Sequence, residues 1–201
     1  MILNLKFEIA MNLTDEEKVE LLRIARNSIT NAVNGKELPE VEPLTENLRT
    51  PCGAFVTITI NDTLRGCIGY VEAVKSLAET VNEVAAKSAL EDPRFPPVEP
   101  YELDKIEIEI SVLSPLKLVK SVDEIKVGEH GIMIKKGWRR GLLLPQVAVE
   151  HNLTKEEFLE HTCLKAGLHP DCWKDKDVEI YVFTAIVFKE SDFKQKIEEG
   201  L

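Results

Sequence analysis

Basic charge is in short supply in this sequence: 25 Lys and Arg stand against 35 Asp and Glu, a formal net charge of −10 at pH 7. Such a chain is repelled at long range by polyanions, which argues against broad wrapping of nucleic acid while leaving room for a local basic patch. Cysteine is also scarce. The four cysteines, at positions 52, 67, 163 and 172, are too sparse for a disulfide framework and are expected as reduced thiols in a cytoplasm. No run approaches the roughly eighteen apolar residues of a membrane helix. The N-terminus lacks a basic segment followed by an apolar core, so a secretory signal is not expected. P-loop, dinucleotide, zincin and kinase signatures are missing as well.

What is there suits a globular chain. At 201 residues, 44% hydrophobic and 30% charged, the length fits one domain or one domain with a small lobe. Residues 2–9 alternate (Leu3, Leu5, Phe7 and Ile9 against Asn4, Lys6 and Glu8) and read as a short strand or arm. Thr14-Asp15-Glu16-Glu17 is a capping box, and Leu22, Ala25, Ile29, Ala32 and Val33 follow at helical spacing until Asn34-Gly35. Residues 36–53, with Pro39, Pro43 and Pro51, read as a surface connection. Residues 54–60 alternate as a strand, Asn61-Asp62-Thr63 turns, and Ser76 to Glu79 caps a second helix that ends before Pro93. A third strand alternates Ile106, Ile108, Ile110 and Val112 with Glu107, Glu109, Ser111 and Leu113. Lys135 to Arg140 is hairpin-tip chemistry, and Pro145 stops the returning strand or sets it at an edge. A third capping box spans Thr154 to Glu157, with Cys163 on the buried stripe of its helix. Val178 to Phe188 is apolar on both faces, as a central strand would be. A short helical tail is expected from Lys189.

The stretch that stands out is Leu64-Arg65-Gly66-Cys67-Ile68-Gly69-Tyr70. As a strand, its two-residue period sends Leu64, Gly66 and Ile68 to one face and Arg65, Cys67 and Gly69 to the other. A fixed cation beside a thiol favours the thiolate, the nucleophilic form. Glycines beside it let backbone or ligand approach. The rival reading makes Cys67 a small buried hydrophobe and the glycines the mark of a bulge. The stiff Asp92-Pro93-Arg94-Phe95-Pro96-Pro97 segment either fixes Arg94 and Phe95 for binding or serves as a connector. A nucleophilic reading uses Cys67 with His130 as base, and Glu109 and Ser111 as further cleft residues. His161, Cys163, His169 and Cys172 do not make a metal set, because His161 and Cys163 lie about 200° apart on a helix. Lys135, Lys136, Trp138, Arg139 and Arg140 form a basic, aromatic cluster suited either to a solvated turn or to RNA.

Taken together, several motifs resemble the AMMECR domain family. They are Leu64 to Gly69, Asp92 to Pro97, Ser111 to Pro115, Gly128-x-His130-Gly131-Ile132 and Leu144-Pro145-Gln146-Val147. The stretch from Phe158 through Gly167 to Trp173 is similar to its archaeal branch. The resemblance covers residues 12–190 as a single domain, leaving 1–11 as an arm and 191–201 as a tail. It implies an α+β fold of mostly antiparallel sheets flanked by helices, with a larger lobe from both chain ends, a smaller middle lobe and a cleft carrying Arg65-Gly66-Cys67. The family has no settled activity. Related bacterial chains are fused to or encoded beside a dioxygenase-like protein and a radical S-adenosylmethionine protein, which implies a modification pathway, with RNA modification proposed.

The resulting expectation is a cytoplasmic enzyme without cofactor or metal. Cys67, His130 and Glu109 carry the chemistry, while Arg65, Gly66, Gly69, Asp92, Arg94 and Ser111 hold an anionic or nucleotide-like ligand. The alternative is a non-catalytic RNA-binding or adaptor module using the hairpin tip.

Overall fold

Helix α1 (Asp15–Val33) begins where the sequence places its first capping box: Thr14 Oγ1 accepts from the Glu17 amide at 3.2 Å, and Glu17 accepts from the Thr14 amide at 2.9 Å. The chain is described here from a computed structural model over residues 13–198; the strand or arm expected over 2–9 lies outside the described residues. Gly35, at φ +68°, takes the left-handed position after the helix. The connection that follows is not loop throughout. A four-residue helix, α2 (Glu46–Arg49), is capped by Thr45 and carries the fully buried Leu48. The buried Leu48 and the hydrogen bonds that Thr45 and Asn47 donate to Glu17 hold that turn against α1.

Strands β1 (Gly53–Ile60) and β2 (Thr63–Tyr70) form a hairpin, followed by helix α3 (Leu77–Leu90) and strand β3 (Ile106–Leu113). Next come β4 (Lys117–Leu118), β5 (Gly131–Lys136), β6 (Arg139–Leu143), α4 (Pro145–Glu150), α5 (Lys155–Lys165) and β7 (Glu179–Phe183). Strand β8 (Ala185–Lys189) and helix α6 (Lys194–Glu198) close the described chain. The strands make two four-stranded sheets, ordered β2-β1-β3-β8 and β4-β7-β5-β6, in an antiparallel α+β fold. The chain divides into two compact units, one from the described parts of Met1–Leu113 and Ile186–Leu201, the other from Ser114–Ala185.

In the first unit, Val56, Ile58, Ile108 and Ile110 form the buried face of the sheet and share one core with Leu21, Leu22, Ala25 and Ile29 of α1 and Val81, Val84 and Ala85 of α3. Arg26 of α1 ties the end of the chain in: its Nε donates to Glu190 at 2.9 Å, and its other nitrogens reach the carbonyls of Leu103 and Ile106. The apolar run 178–188 is not one central strand, as its two apolar faces suggest. It divides at Thr184, β7 lying inside the second sheet and β8 at the edge of the first.

In the second unit, Ile132, Ile134, Ile180 and Val182 pack with Phe158, Leu159 and Cys163 of α5. Pro145 occupies the first position of α4, where its missing N–H costs nothing. The expectation of four reduced thiols is corrected here. Cys163 and Cys172, both fully buried, are joined as a disulfide across a sequence separation of 9. Burying both sulfurs at adjacent core positions, with Cα atoms 5.9 Å apart, supplies the geometry that spacing along the chain does not reveal. Thiol titration of the unfolded, unreduced protein should therefore count only Cys52 and Cys67. A Cys163→Ala/Cys172→Ala chain should melt about 5–10 °C lower, since closing a loop of about ten residues is worth roughly 2.5 kcal/mol. Four titratable thiols, or an unchanged melting midpoint, would contradict the bridge.

Candidate functional site

The site is set by an irregularity in the first hairpin. Its turn residues Asn61 and Asp62 both have positive φ, 50° and 60°, as a two-residue hairpin turn requires. Counting back from that turn in strict register would place Cys67 opposite Val56, on the core face. Instead the register shifts between Ile58 and Thr59: Thr59 faces Leu64, but Ile58 faces Gly66, and Arg65 is the extra residue of a bulge. A one-residue slip reverses faces. Cys67 therefore lies opposite Thr57, and Thr57 lies opposite Glu109 on β3, so the three share one row on the face away from α1 and α3.

Cys67 is half-buried there. Its sulfur accepts a hydrogen bond from Thr57 Oγ1 at 3.3 Å, and its amide donates to Asp92 Oδ2 at 2.8 Å. Asp92 is 5% exposed. It also takes the Arg94 amide and Nε on Oδ1, each at 3.0 Å, and Arg94 Nη2 on Oδ2 at 2.7 Å. The bonds from Arg94 are the main reason its carboxyl is held far below the usual carboxylate range, against the opposing effect of burial. Arg94 is held charged in return, chiefly by Asp92, with the nearby Cys67 sulfur contributing in the same direction. Its Nη2 reaches the Cys67 carbonyl at 3.4 Å, and its guanidinium lies 5.5 Å from the centre of the Phe95 ring. The rigid segment between Asp92 and Pro97 thus delivers a fixed cation to the thiol.

That cation is not Arg65. The bulge removes Arg65 from the two-residue period, and its guanidinium pairs with Glu102, Nε to Oε1 and Nη2 to Oε2, both at 2.9 Å. The same group donates to the carbonyls of Pro96 and Pro97 at 2.8 and 3.1 Å. Arg65 is a clamp on the proline segment, with few donors left for a ligand. The two glycines also make room for the protein itself. A Cβ on Gly66 would meet the Ser88 carbonyl of α3 at 2.1 Å, and one on Gly69 would meet the Phe55 ring at 2.2 Å. Close packing, not ligand approach, explains both.

Ser111 lies on the face that carries Phe55 and Glu109, but it is 1% exposed and its hydroxyl has no hydrogen-bond partner among the described residues. His130 belongs to the second unit. Its Nδ1 accepts from the Lys126 amide at 3.3 Å, which occupies the lone pair a general base would use. Burial is the main cause that lowers its pKa from the ordinary 6.5, with the Glu129 charge opposing it. Among the described residues no group of three or more His, Cys, Asp or Glu is arranged to hold a metal ion. No helix among them is long and apolar enough to cross a membrane.

The hairpin tip forms as expected, with Gly137 at φ +59° and Trp138 84% exposed. Its lysines are engaged within the unit: Lys135 pairs with Glu179 at 3.0 Å, and Lys136 with Asp175 at 2.8 Å and Asp177 at 3.0 Å. Arg139 donates to the Gly167 carbonyl at 3.0 Å and stacks on Trp138. A phosphate backbone would meet carboxylates at the same surface. Thr57, the donor to the sulfur, was the residue missed by reading the sequence. The alternation of β1 put it on the polar face, but its pairing with Cys67 depends on the bulge.

A family profile described as AMMECR1 matches residues 22–188. A protein from Methanopyrus kandleri is 45% identical over 196 residues, which cover 93% of this chain and 95% of that protein. A Methanothermobacter thermautotrophicus protein is 45% identical over 185 residues, 89% of this chain and 96% of its own length. The crystal structure of the uncharacterized protein PH0010 from Pyrococcus horikoshii aligns with a TM-score of 0.84 at 41% identity, covering 88% of this chain and 93% of that one. The profile spans most of the chain, and the relatives match nearly end to end. The chain belongs to the AMMECR1 family.

Proposed function

We propose that this protein is an enzyme whose nucleophile is the thiolate of Cys67. The observation that carries this reading is the buried Asp92, which binds the Cys67 amide and the Arg94 guanidinium with one carboxylate. A carboxylate costs free energy to bury, and here it fixes a cation at a half-buried thiol on the polar face of a sheet. Thr57 and Arg94 both favour negative charge on sulfur, Thr57 by donating and Arg94 by its charge.

The chemistry such a centre supports is acyl transfer. The thiolate sulfur attacks a carbonyl carbon and forms the S–C bond. The C=O π pair moves to oxygen, where a hydrogen-bond donor stabilises the oxyanion. Collapse expels the leaving group with its electron pair and leaves a thioester on Cys67. Water or an acceptor molecule then attacks that thioester and releases the thiol. His130 is not assigned the base of this sequence, because its acceptor nitrogen is occupied. Glu109 lies in the row of Thr57 on the same face of the sheet. A position beside a radical S-adenosylmethionine partner in a modification pathway is compatible with a group-transfer step of this kind.

Mass-mapped alkylation of the native protein with iodoacetamide at pH 7 tests the reading. Cys67 should be modified about tenfold or more faster than the buried Cys52. Modification of Cys67 at the rate of Cys52 or slower would remove the nucleophile.

A further inference from the structure

Arg94 is used unevenly. Its Nε and one edge of Nη2 are taken by Asp92, and Nη2 also reaches the Cys67 carbonyl; none of these bonds uses Nη1. The side chain is 54% exposed, while the Asp92 side chain that holds it is 3% exposed. The guanidinium is therefore fixed on its buried side and open on the other, with the Phe95 ring against it. A mobile surface arginine would lose rotamer entropy on binding a ligand; this one has already lost it on folding. The second guanidinium of the region cannot assist, because Arg65 is spent on Glu102, Pro96 and Pro97.

We infer that the substrate carries one anionic group, a carboxylate or a phosphate, received by Nη1 of Arg94, with the electrophilic atom a short distance away at Cys67. The inference rests on the thiolate reading of Cys67 and adds the substrate class to it. Recognition is by a single nitrogen and not by the two-pronged fork, since the fork is closed on Asp92. Asp92 lies on the opposite edge of the guanidinium from the ligand, so its charge weakens the attraction without cancelling it. Asp92 is a positioning residue, and Arg94 is the specificity-determining one.

Two probes with the same leaving group and reacting carbon isolate the charge: iodoacetate and iodoacetamide. In both, the thiolate sulfur bonds the methylene carbon and iodide leaves with the C–I electron pair. The iodoacetate-to-iodoacetamide rate ratio at Cys67 is measured in the folded protein and in the same protein unfolded in urea. The folded ratio should exceed the unfolded one by about tenfold. Arg94→Gln should bring it down to the unfolded value, and Arg94→Lys should restore part of it. Inorganic phosphate and acetate, added as competitors against iodoacetate, separate the two anions: the better protector names the group, and protection by neither overturns the assignment. Equal folded and unfolded ratios with rapid iodoacetamide labelling would overturn the anion site while leaving the nucleophile standing. Slow labelling by both probes would overturn both. The wild-type ratio alone decides this, so poor folding of a variant does not blunt the test.

Discussion

Gly66→Ala is expected to be the most damaging single-atom addition in the first unit. The new Cβ would lie 2.1 Å from the Ser88 carbonyl, a backbone atom within α3, so no side chain can swing aside. Either α3 or β2 must move. Movement would strain the Ser88 hydroxyl, which accepts from the Ile68 amide at 2.9 Å and lies 2.8 Å from the Val56 carbonyl. Overpacking against backbone should cost about 3 kcal/mol or more, a fall of roughly 6–12 °C in melting midpoint for a chain of this size. Gly35→Ala is the control. There the φ of +68° is strained for alanine, but nothing lies within 4 Å of the added carbon, so about 1 kcal/mol is expected. Calorimetry that ranks the two substitutions equally, or in reverse, would show that α3 does not pack on Gly66 as described. The Cys67 amide is one residue away, so Gly66→Ala should also slow alkylation of Cys67.

Asp92→Asn has the second large effect, and its signature is in the pH dependence. Asparagine keeps the shape but turns an acceptor into a donor facing the N–H groups of Cys67 or Arg94. The donors left without a partner should cost about 2–4 kcal/mol near neutral pH. The sign follows from linkage. The folded carboxyl of Asp92 is held well below its ordinary value of 3.8, so the unfolded chain binds a proton first as pH falls. Wild type therefore carries this stabilisation in full above about pH 5, and it shrinks as pH drops through and below the unfolded value. The stability gap between wild type and Asp92→Asn should be constant from pH 5 to 8 and narrow toward pH 3. Urea titrations at several pH values measure it. A gap that widens in acid would mean that Asp92 is not ionised and paired in the native state.

How far the sequence discloses this protein depends on whether a feature is local. Helix starts are local, and all three capping boxes form with the residues that spell them. The hairpin at Gly137-Trp138 and the alternation of β3 are local in the same sense. Cys67 and Gly69 reach the face their period predicts, but Leu64 and Arg65 do not, because a bulge depends on packing between strands and leaves no mark in the strand's own pattern. The disulfide and the division of the 178–188 run likewise follow from which elements meet in space. At the site, the Asp92-Pro93-Arg94 segment was legible as stiff, whereas the assignment of its arginine, and not Arg65, to the thiol was not. The partner of Arg65 is Glu102, 37 positions away, and no spacing rule connects them.

The most direct measurement is the rate of Cys67 alkylation by iodoacetamide at pH 7 in the folded protein, divided by the rate at the same cysteine in the chain unfolded by urea. A half-buried, unactivated thiol reacts more slowly when folded, simply because access is reduced. A thiol held as thiolate by Thr57 and Arg94 should react faster despite that, with a ratio of about ten or more. A ratio at or below one would make Cys67 packing material and leave this fold without a nucleophile.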